Sequence, residues 1–345
     1  MKKLQKLIVS DVTLRDGNHA VNHEINSNVI RKYCNYIDST GIDIVEVGHG
    51  NGLGASSLAI GRSIISDQKS LKLARSKLKK TKLSIHSIPG FSRNQDLKIA
   101  IDCGVDIFRI GTNSTEIDTT VSQIEFCKKN KVETWAVLMM AHLVNDKKKS
   151  YLKKVKFLKD LGIKTVIIMD SAGIFLPKEL SVIIGDIKKK FNLRVGFHGH
   201  NNLGTAVWNS VTAYLSGAEI IDSSIKGFGA GAGNTPMDIF LTVFKKIGFK
   251  SKVDLSQIYS LAKKFPKILK KENINYLNPF SEPKNIMSAN YGLFSGFASK
   301  VDYYSDKFKL DDIEAFQAIG EKKLVAGQED LIFNILYNLK KKKKS

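Results

Sequence analysis

Short β-branched and apolar runs alternate with longer amphipathic stretches from the N-terminus to about residue 250. The spacing predicts strands over 7–12, 42–47, 83–88, 107–110, 134–139, 165–169, 194–197 and 219–222. Helical periodicity fills the intervals, notably 27–39, 115–129, 148–161, 177–190, 205–216 and 236–247. Eight strands separated by helices favour parallel strands joined by right-handed crossovers. Past residue 250 the strand pattern stops, and 254–269, 288–299, 311–319 and 329–339 read as helices. Pro279 and Pro283 mark a break between them.

The polar residues choose between an open sheet and a barrel. Asp11-Val12-Thr13-Leu14-Arg15-Asp16, Gly48-His49-Gly50, Met169-Asp170-Ser171 and His198-Gly199-His200 all stand just past strand ends. A closed barrel brings those ends to one mouth, whereas an open sheet leaves the first and seventh far apart. The expected architecture is α/β: a (β/α)₈ TIM barrel over 1–250, then a small helical C-terminal domain over 251–345 that offers a partner or dimer contact.

Composition trims the alternatives. With 43% hydrophobic and 25% charged residues, the 345-residue chain has the balance of a soluble globular protein. It contains no apolar run of membrane-spanning length. Its basic start leads into an expected first strand rather than a signal peptide. Cys34, Cys103 and Cys127 are widely spaced with no CxxC pair, so a disulfide framework or zinc–thiolate site is not expected and a reducing cytoplasm is. The net charge of +21 comes from lysines spread over helix faces, as in 69–82, 128–131 and 147–156, without any nucleic-acid-binding module. They read as solvated lysines, so neither nucleic acid nor a membrane is the expected partner. The same field attracts small anions. The run Lys340 to Lys344 reads as a frayed tail.

Candidate chemistry gathers at the strand ends. In an extended segment residues i and i+2 point the same way, so His198 and His200 can reach one ion. Taken alone, the pair is equally a hydrogen-bonded couple. Asp16 supplies the carboxylate that turns two imidazoles into a three-point cradle for a divalent cation. Arg15 and His19 crowd the same loop, before and after Gly17. The segment Gly227-Phe228-Gly229-Ala230-Gly231-Ala232-Gly233-Asn234-Thr235-Pro236 follows the last strand. It suits either close backbone approach to an anion or a tight packing turn.

Asp11-Val12-Thr13-Leu14-Arg15-Asp16-Gly17-Asn18-His19-Ala20 resembles the first loop of metal-dependent lyase and synthase barrels. His19, where the acyl-CoA synthases and hydroxymethylglutaryl-CoA lyase carry Gln, looks like the 4-hydroxy-2-oxovalerate aldolases. The resemblance continues through 46–53, 138–142, 170–173, 229–236 and 325–330, and so spans nearly the whole chain. It implies a metal on Asp16, His198 and His200, Mn²⁺ ahead of Mg²⁺ or Co²⁺. It further implies a 2-oxo acid substrate touching Arg15, Asp16, Ser171 and His198. Cleavage of a 4-hydroxy-2-oxo acid to pyruvate and an aldehyde follows, with His19 as base and Arg15 stabilising the enolate. Such aldolases commonly pair with an acylating aldehyde dehydrogenase, and a homo-oligomer is expected.

Two departures stand out. The family's tyrosine-bearing stretch becomes Ser288-Ala289-Asn290-Tyr291-Gly292-Leu293-Phe294-Ser295-Gly296-Phe297, with Asn290 and Phe294 in the tyrosine places and Tyr291 one place off. The family's His-Ala-His-His-Asn becomes His198-Gly199-His200-Asn201-Asn202. The alternative reading is a Claisen-type acyl-CoA condensing synthase, or a hydroxymethylglutaryl-CoA-lyase-like enzyme, on the same barrel. A two-histidine, one-carboxylate iron oxygenase fits the ligands but not the strand–helix alternation. A non-enzymatic scaffold fits the basic surface but not the intact loop.

Overall fold

The computed structural model describes residues 6–276 and 282–342. Strands and helices follow one another as β1 (Ile8–Leu14), α1 (Ser27–Ile37), β2 (Ile44–Val47), α2 (Asp67–Lys77), β3 (Lys82–Ser87), α3 (Asn94–Asp102), β4 (Ile107–Asn113) and α4 (Val121–Lys129). They continue as β5 (Glu133–Met139), α5 (Ser150–Asp160), β6 (Thr165–Asp170), α6 (Pro177–Phe191), β7 (Arg194–Gly199), α7 (Ala206–Leu215), β8 (Ile220–Ser223) and α8 (Met237–Lys246). The strands pair in parallel in chain order, and β8 closes on β1 through Ile8 with Ile220 and Ser10 with Asp222. The expected closed (β/α)₈ barrel is therefore present.

Alternation along the strands sorts the side chains into two layers. Val45, Val47, Leu83, Ile85, Phe108, Ile110, Val195, Phe197 and Ile221 join the large core beneath the helices. The opposite faces of the same strands form the barrel interior. An apolar plug that includes Ile44, Ile107, Ile167 and Ile220 fills one level. Two residues further along, Glu46, Arg109 and Asp222 occupy the next level, each at most 1% exposed. The pattern that makes the plug thus also lifts three charged groups towards the mouth.

Four more helices and a long linking one complete the chain. Helix α9 (Leu255–Lys271) starts on the cap of Asp254 and adds Ile258, Leu261, Phe265 and Leu269 to the barrel core. Helices α10 (Pro283–Asn290), α11 (Ala298–Phe308), α12 (Asp312–Glu321) and α13 (Leu331–Lys342) build a second core around Phe297, Val301, Phe316, Ile319, Ile332 and Leu336. Met140, from the loop after β5, is buried in that second core, and Leu143 from the same loop packs against it.

Some expectations needed adjusting. The helix expected over 288–299 is two helices, because Gly292 takes φ +68° and breaks the backbone after Asn290. Helix α2 shows in the sequence only as a lysine-rich helix face within 69–82, and α3 is not singled out there. Their lysine-rich or short sequences bury little, only Ser70, Leu71 and Ala74 in α2 and Leu97 and Ala100 in α3. Lys340 to Lys342 belong to α13 rather than to a frayed tail, while Lys343, Lys344 and Pro279 lie outside the described residues. Among the described residues no helix is long and apolar enough to cross a membrane. All three cysteines are free and buried.

Candidate metal centre and active site

Strand β1 delivers Asp16 to the mouth and β7 delivers His198 and His200. Asp16 opens a short 3₁₀ turn just past the strand, and its Oδ2 lies 3.9 Å from His198 Nε2 and 4.0 Å from His200 Nε2. The two Nε2 atoms are 3.4 Å apart. All three side chains are buried, and their donor atoms lie within 4.8 Å of one another. The sequence-predicted trio is therefore assembled.

Each donor is oriented by a neighbour. Asp222 Oδ2 lies 3.0 Å from His198 Nδ1, so that nitrogen donates to the carboxylate and Nε2 is turned toward Asp16. Asp16 Oδ1 accepts the Ala230 N–H at 3.0 Å and the Asn234 amide at 2.9 Å, while Arg15 Nη1 donates to Oδ2 at 2.7 Å. The glycine-rich loop thus does bring an N–H to an anion, and that anion is Asp16 itself. A β-carbon at Gly229 would lie 2.8 Å from Asp16 Oδ1, so only glycine permits the approach. Gly17 is equally constrained, since its β-carbon would overlap the Phe228 ring from the same loop.

Protonation suits a cation. Burial alone would raise the Asp16 carboxyl, but Arg15, then His200, His198 and His19, hold it well below the usual carboxylate range. Burial, against the pull of Asp16, pushes His200 down to about 4. At neutral pH the cradle presents a carboxylate and a neutral His200 imidazole. The formal charges of Asp16, Glu46 and Asp222 against Arg15 and Arg109 leave one negative charge in excess inside the barrel. Converging ligand atoms, a donor fixed from behind and an excess negative charge fit a divalent metal.

His19 stands beside the trio on the wall of a cavity of about 510 Å³, which Gly229, Ala230, Asn51, Phe294 and Ser295 also line. Its ring lies across Gly50, where a β-carbon would come within 2.6 Å of Nε2. Burial is the main influence that lowers its pKa below 6.5; Asp16 opposes and Arg15 assists. Arg15 completes the group. Its Nε reaches Glu46, its Nη1 reaches Asp16 and the Gly50 carbonyl, and its buried Nη2 has no protein partner. That buried guanidinium nitrogen is a donor left unsatisfied by the protein.

The other predicted residues lie at the seam with the helical domain. The Ser171 hydroxyl accepts the Met140 N–H at 2.9 Å, and the Ser171 carbonyl accepts both the N–H and the hydroxyl of Ser295. Tyr291 packs against the second core, and Phe294 rather than Tyr291 lines the cavity. Sequence reasoning missed Glu46, Arg109, Asp222 and Asn234. A signal existed for three of them, a lone charged residue inside an apolar strand such as Ile107-Phe108-Arg109-Ile110. It also missed that His23 and His49 stack at 3.6 Å beside His19, a contact between loops with no local signature.

The sequence profile of the HMGL-like family matches residues 6–264, and that of the DmpG-like communication domain matches 279–341. A 4-hydroxy-2-oxovalerate aldolase of Pectobacterium atrosepticum is 39% identical over 339 residues, covering 98% of this chain and 97% of the relative. One of Spirochaeta aurantia is 39% identical over 335 residues, covering 97% and 96%. The crystal structure of an N-terminal domain from Bacteroides vulgatus superposes with TM-score 0.71 at 27% identity, covering 87% of this chain and 98% of that one. The carboxyl transferase domain of Rhizobium etli pyruvate carboxylase, crystallised with pyruvate, superposes with TM-score 0.82 at 12% identity over 100% of this chain and 62% of that one. At that identity the last likeness concerns the fold alone.

Proposed function

This chain belongs to the HMGL-like family and, within it, to the 4-hydroxy-2-oxovalerate aldolases, and from that premise we propose that it reversibly cleaves a 4-hydroxy-2-oxo acid to pyruvate and an aldehyde. 4-Hydroxy-2-oxovalerate is the substrate that its relatives' names supply. The enzyme is a carbon–carbon lyase that depends on a divalent metal. The observation that carries the reading is the convergence of three groups: the Asp16–His198–His200 cradle, the unpartnered Nη2 of Arg15, and His19 over the adjoining cavity.

Asp16, His198 and His200 would hold the cation, with Mn²⁺ the best match and Mg²⁺ or Co²⁺ also accepted. When bound, it supplies a Lewis acid for the 2-oxo acid and offsets the excess negative charge of the site. The chain's own residues do the rest. Neutral His19 takes the proton of the C4 hydroxyl. The C3–C4 bond then breaks, the aldehyde forms at C4, and the electron pair moves into the C2–C3 enolate of pyruvate. Arg15 Nη2 donates to the developing oxyanion from a fixed position, so no reorganisation is needed as charge appears. A proton delivered to C3 completes pyruvate. Ser171, having accepted the Met140 N–H, keeps its own hydroxyl proton for the substrate. Phe294 faces the aldehyde half, and Tyr291 stays with the helical domain.

The segment that matches a communication domain suits docking of an acylating aldehyde dehydrogenase, which would receive the aldehyde. We place the chain in the cytoplasm, where its three free cysteines stay reduced, and expect a homo-oligomer. The barrel unit of 1–250 carries the cradle, Arg15 and His19, and the unit of 251–345 offers the partner contact while adding Phe294 and Ser295 to the cavity wall.

Incubation with Mn²⁺ and a panel of 4-hydroxy-2-oxo acids of increasing chain length, with pyruvate assayed, tests the reading. Pyruvate is expected from at least the shorter members, and a chelator should abolish it. No pyruvate from any member, with metal demonstrably bound, would overturn the aldolase. Consumption of a 2-oxo acid only when an acyl-CoA is present would then assign the condensing-synthase chemistry instead.

A further inference from the structure

Beneath the cradle the charged groups from the end of β1 and from β2, β4 and β8 form one chain that ends on His198 of β7. Asp16 Oδ2 accepts Arg15 Nη1 at 2.7 Å, and Arg15 Nε reaches Glu46 Oε1. The second oxygen of Glu46 lies 2.9 Å from Arg109 Nη1, an ion pair without hydrogen-bond alignment. Arg109 then grips Asp222 with both terminal nitrogens, one of them at 3.2 Å. Asp222 Oδ2 finally lies 3.0 Å from His198 Nδ1. The chain begins on one metal-ligand candidate and ends on another. A cation bound between Asp16 and His198 closes it into a ring.

Glu46 and Arg109 touch neither the cradle nor the cavity, and both are 0% exposed. Stability alone does not explain them. A buried ion pair is often no better than well-packed apolar residues of similar volume, and the plug one level below is apolar. What charge adds here is direction. Each guanidinium is held between two carboxylates, so each carboxylate is held at a defined angle.

We propose that Glu46 and Arg109 are positioning residues that tie Asp16 to His198 through this chain of ion pairs and so set how tightly the cradle holds its divalent cation. The inference rests on the metal reading of Asp16, His198 and His200. Glu46 shares Arg15 with Asp16. Without its charge, Arg15 draws wholly on Asp16 and weakens the oxygen that faces the histidines. Arg109 performs the matching task for Asp222. Without it, Asp222 is free to turn from His198 Nδ1, and Glu46 pulls Arg15 away from Asp16.

The test is an Mn²⁺ titration of the full chain, with free Mn²⁺ read by electron paramagnetic resonance and the Tm of the metal-free protein measured alongside. Glu46→Gln and Arg109→Met are each expected to weaken Mn²⁺ binding by about 10–100-fold, the usual worth of partners that orient metal ligands. The double variant should cost clearly less than the product of the two, because both act on one chain. Arg109→Lys, which keeps the charge, should recover part of the loss. Where Arg109→Met does not fold, Asp222→Asn takes its place. A lowered Tm with an unchanged Mn²⁺ dissociation constant in these variants would make the network merely structural and overturn the proposal. Failure of the parent protein to bind Mn²⁺ at all would remove the metal reading itself, which is a different outcome.

Discussion

His19→Ala is expected to bind a divalent cation as tightly as the parent and to turn over 4-hydroxy-2-oxo acids about 10²–10⁴-fold more slowly. The separation follows from geometry. His19 is outside the trio whose donor atoms converge, yet it lines the cavity beside that trio. The loss corresponds to about 3–5 kcal/mol of barrier, the share of a general base at about 1.4 kcal/mol per tenfold. The pH profile supplies a second signature. Burial, opposed by Asp16 and assisted by Arg15, lowers His19 below its ordinary 6.5. The base form is the active one, so activity is lost as pH falls through that lowered value. The acidic limb of kcat/KM should therefore lie below pH 6.5 in the parent, and a bound cation pushes it in the same direction. His19→Ala should lack that limb. Unchanged turnover, or an unchanged acidic limb, would remove His19 from the proton transfer.

Asp16→Asn should leave the protein without measurable metal at micromolar concentrations and without pyruvate-forming activity. Asp16 is the sole carboxylate of the cradle, and it is held ionised against burial by Arg15 and three histidines. The substitution also leaves Arg15 buried with one anionic partner fewer. Breaking a buried pair from one side costs about 3–5 kcal/mol, so a lower Tm is expected as well. His200→Ala separates the two effects, since His200 stands outside the run from Arg15 through Glu46 and Arg109 to Asp222, and its Nδ1 has no partner. It should lose metal while keeping most of the stability. Stoichiometric metal in dialysed samples of both variants would contradict the ligand assignment.

Much of this could be read in the chain, for identifiable reasons. Short β-branched and apolar runs set between amphipathic stretches, and the polar residues just past β1, β2, β6 and β7, are local signals, and they pointed to a closed barrel with Asp16, His198 and His200 at its mouth. Arg15 and His19 were legible because they share one loop with Asp16. What escaped was non-local. Asn234 reaches Asp16 across 218 positions and Arg109 reaches Asp222 across 113, and nothing in either neighbourhood announces the pairing. The glycine-rich loop reads as suiting either close approach to an anion or a tight packing turn, and its Ala230 N–H serves a carboxylate of the protein itself, Asp16. The expected helix over 288–299 failed at Gly292, whose positive φ angle breaks a stretch of middling helix formers such as Asn290, Tyr291 and Phe294. That break places Phe294, not Tyr291, on the cavity wall.

The central claim is that this barrel makes the enolate of pyruvate with a divalent metal and no thioester. Reversibility gives a direct measurement. Because cleavage ends with a proton arriving at C3 of the enolate, the reverse step must remove one from the methyl group of pyruvate. Pyruvate alone, incubated in D₂O with the Mn²⁺-loaded protein and followed by proton NMR after the metal is removed, should lose its methyl signal. The metal-free protein and Asp16→Asn should leave that signal intact, and added acyl-CoA should make no difference. A methyl signal that persists with metal bound, or that exchanges only when an acyl-CoA is supplied, would contradict the account.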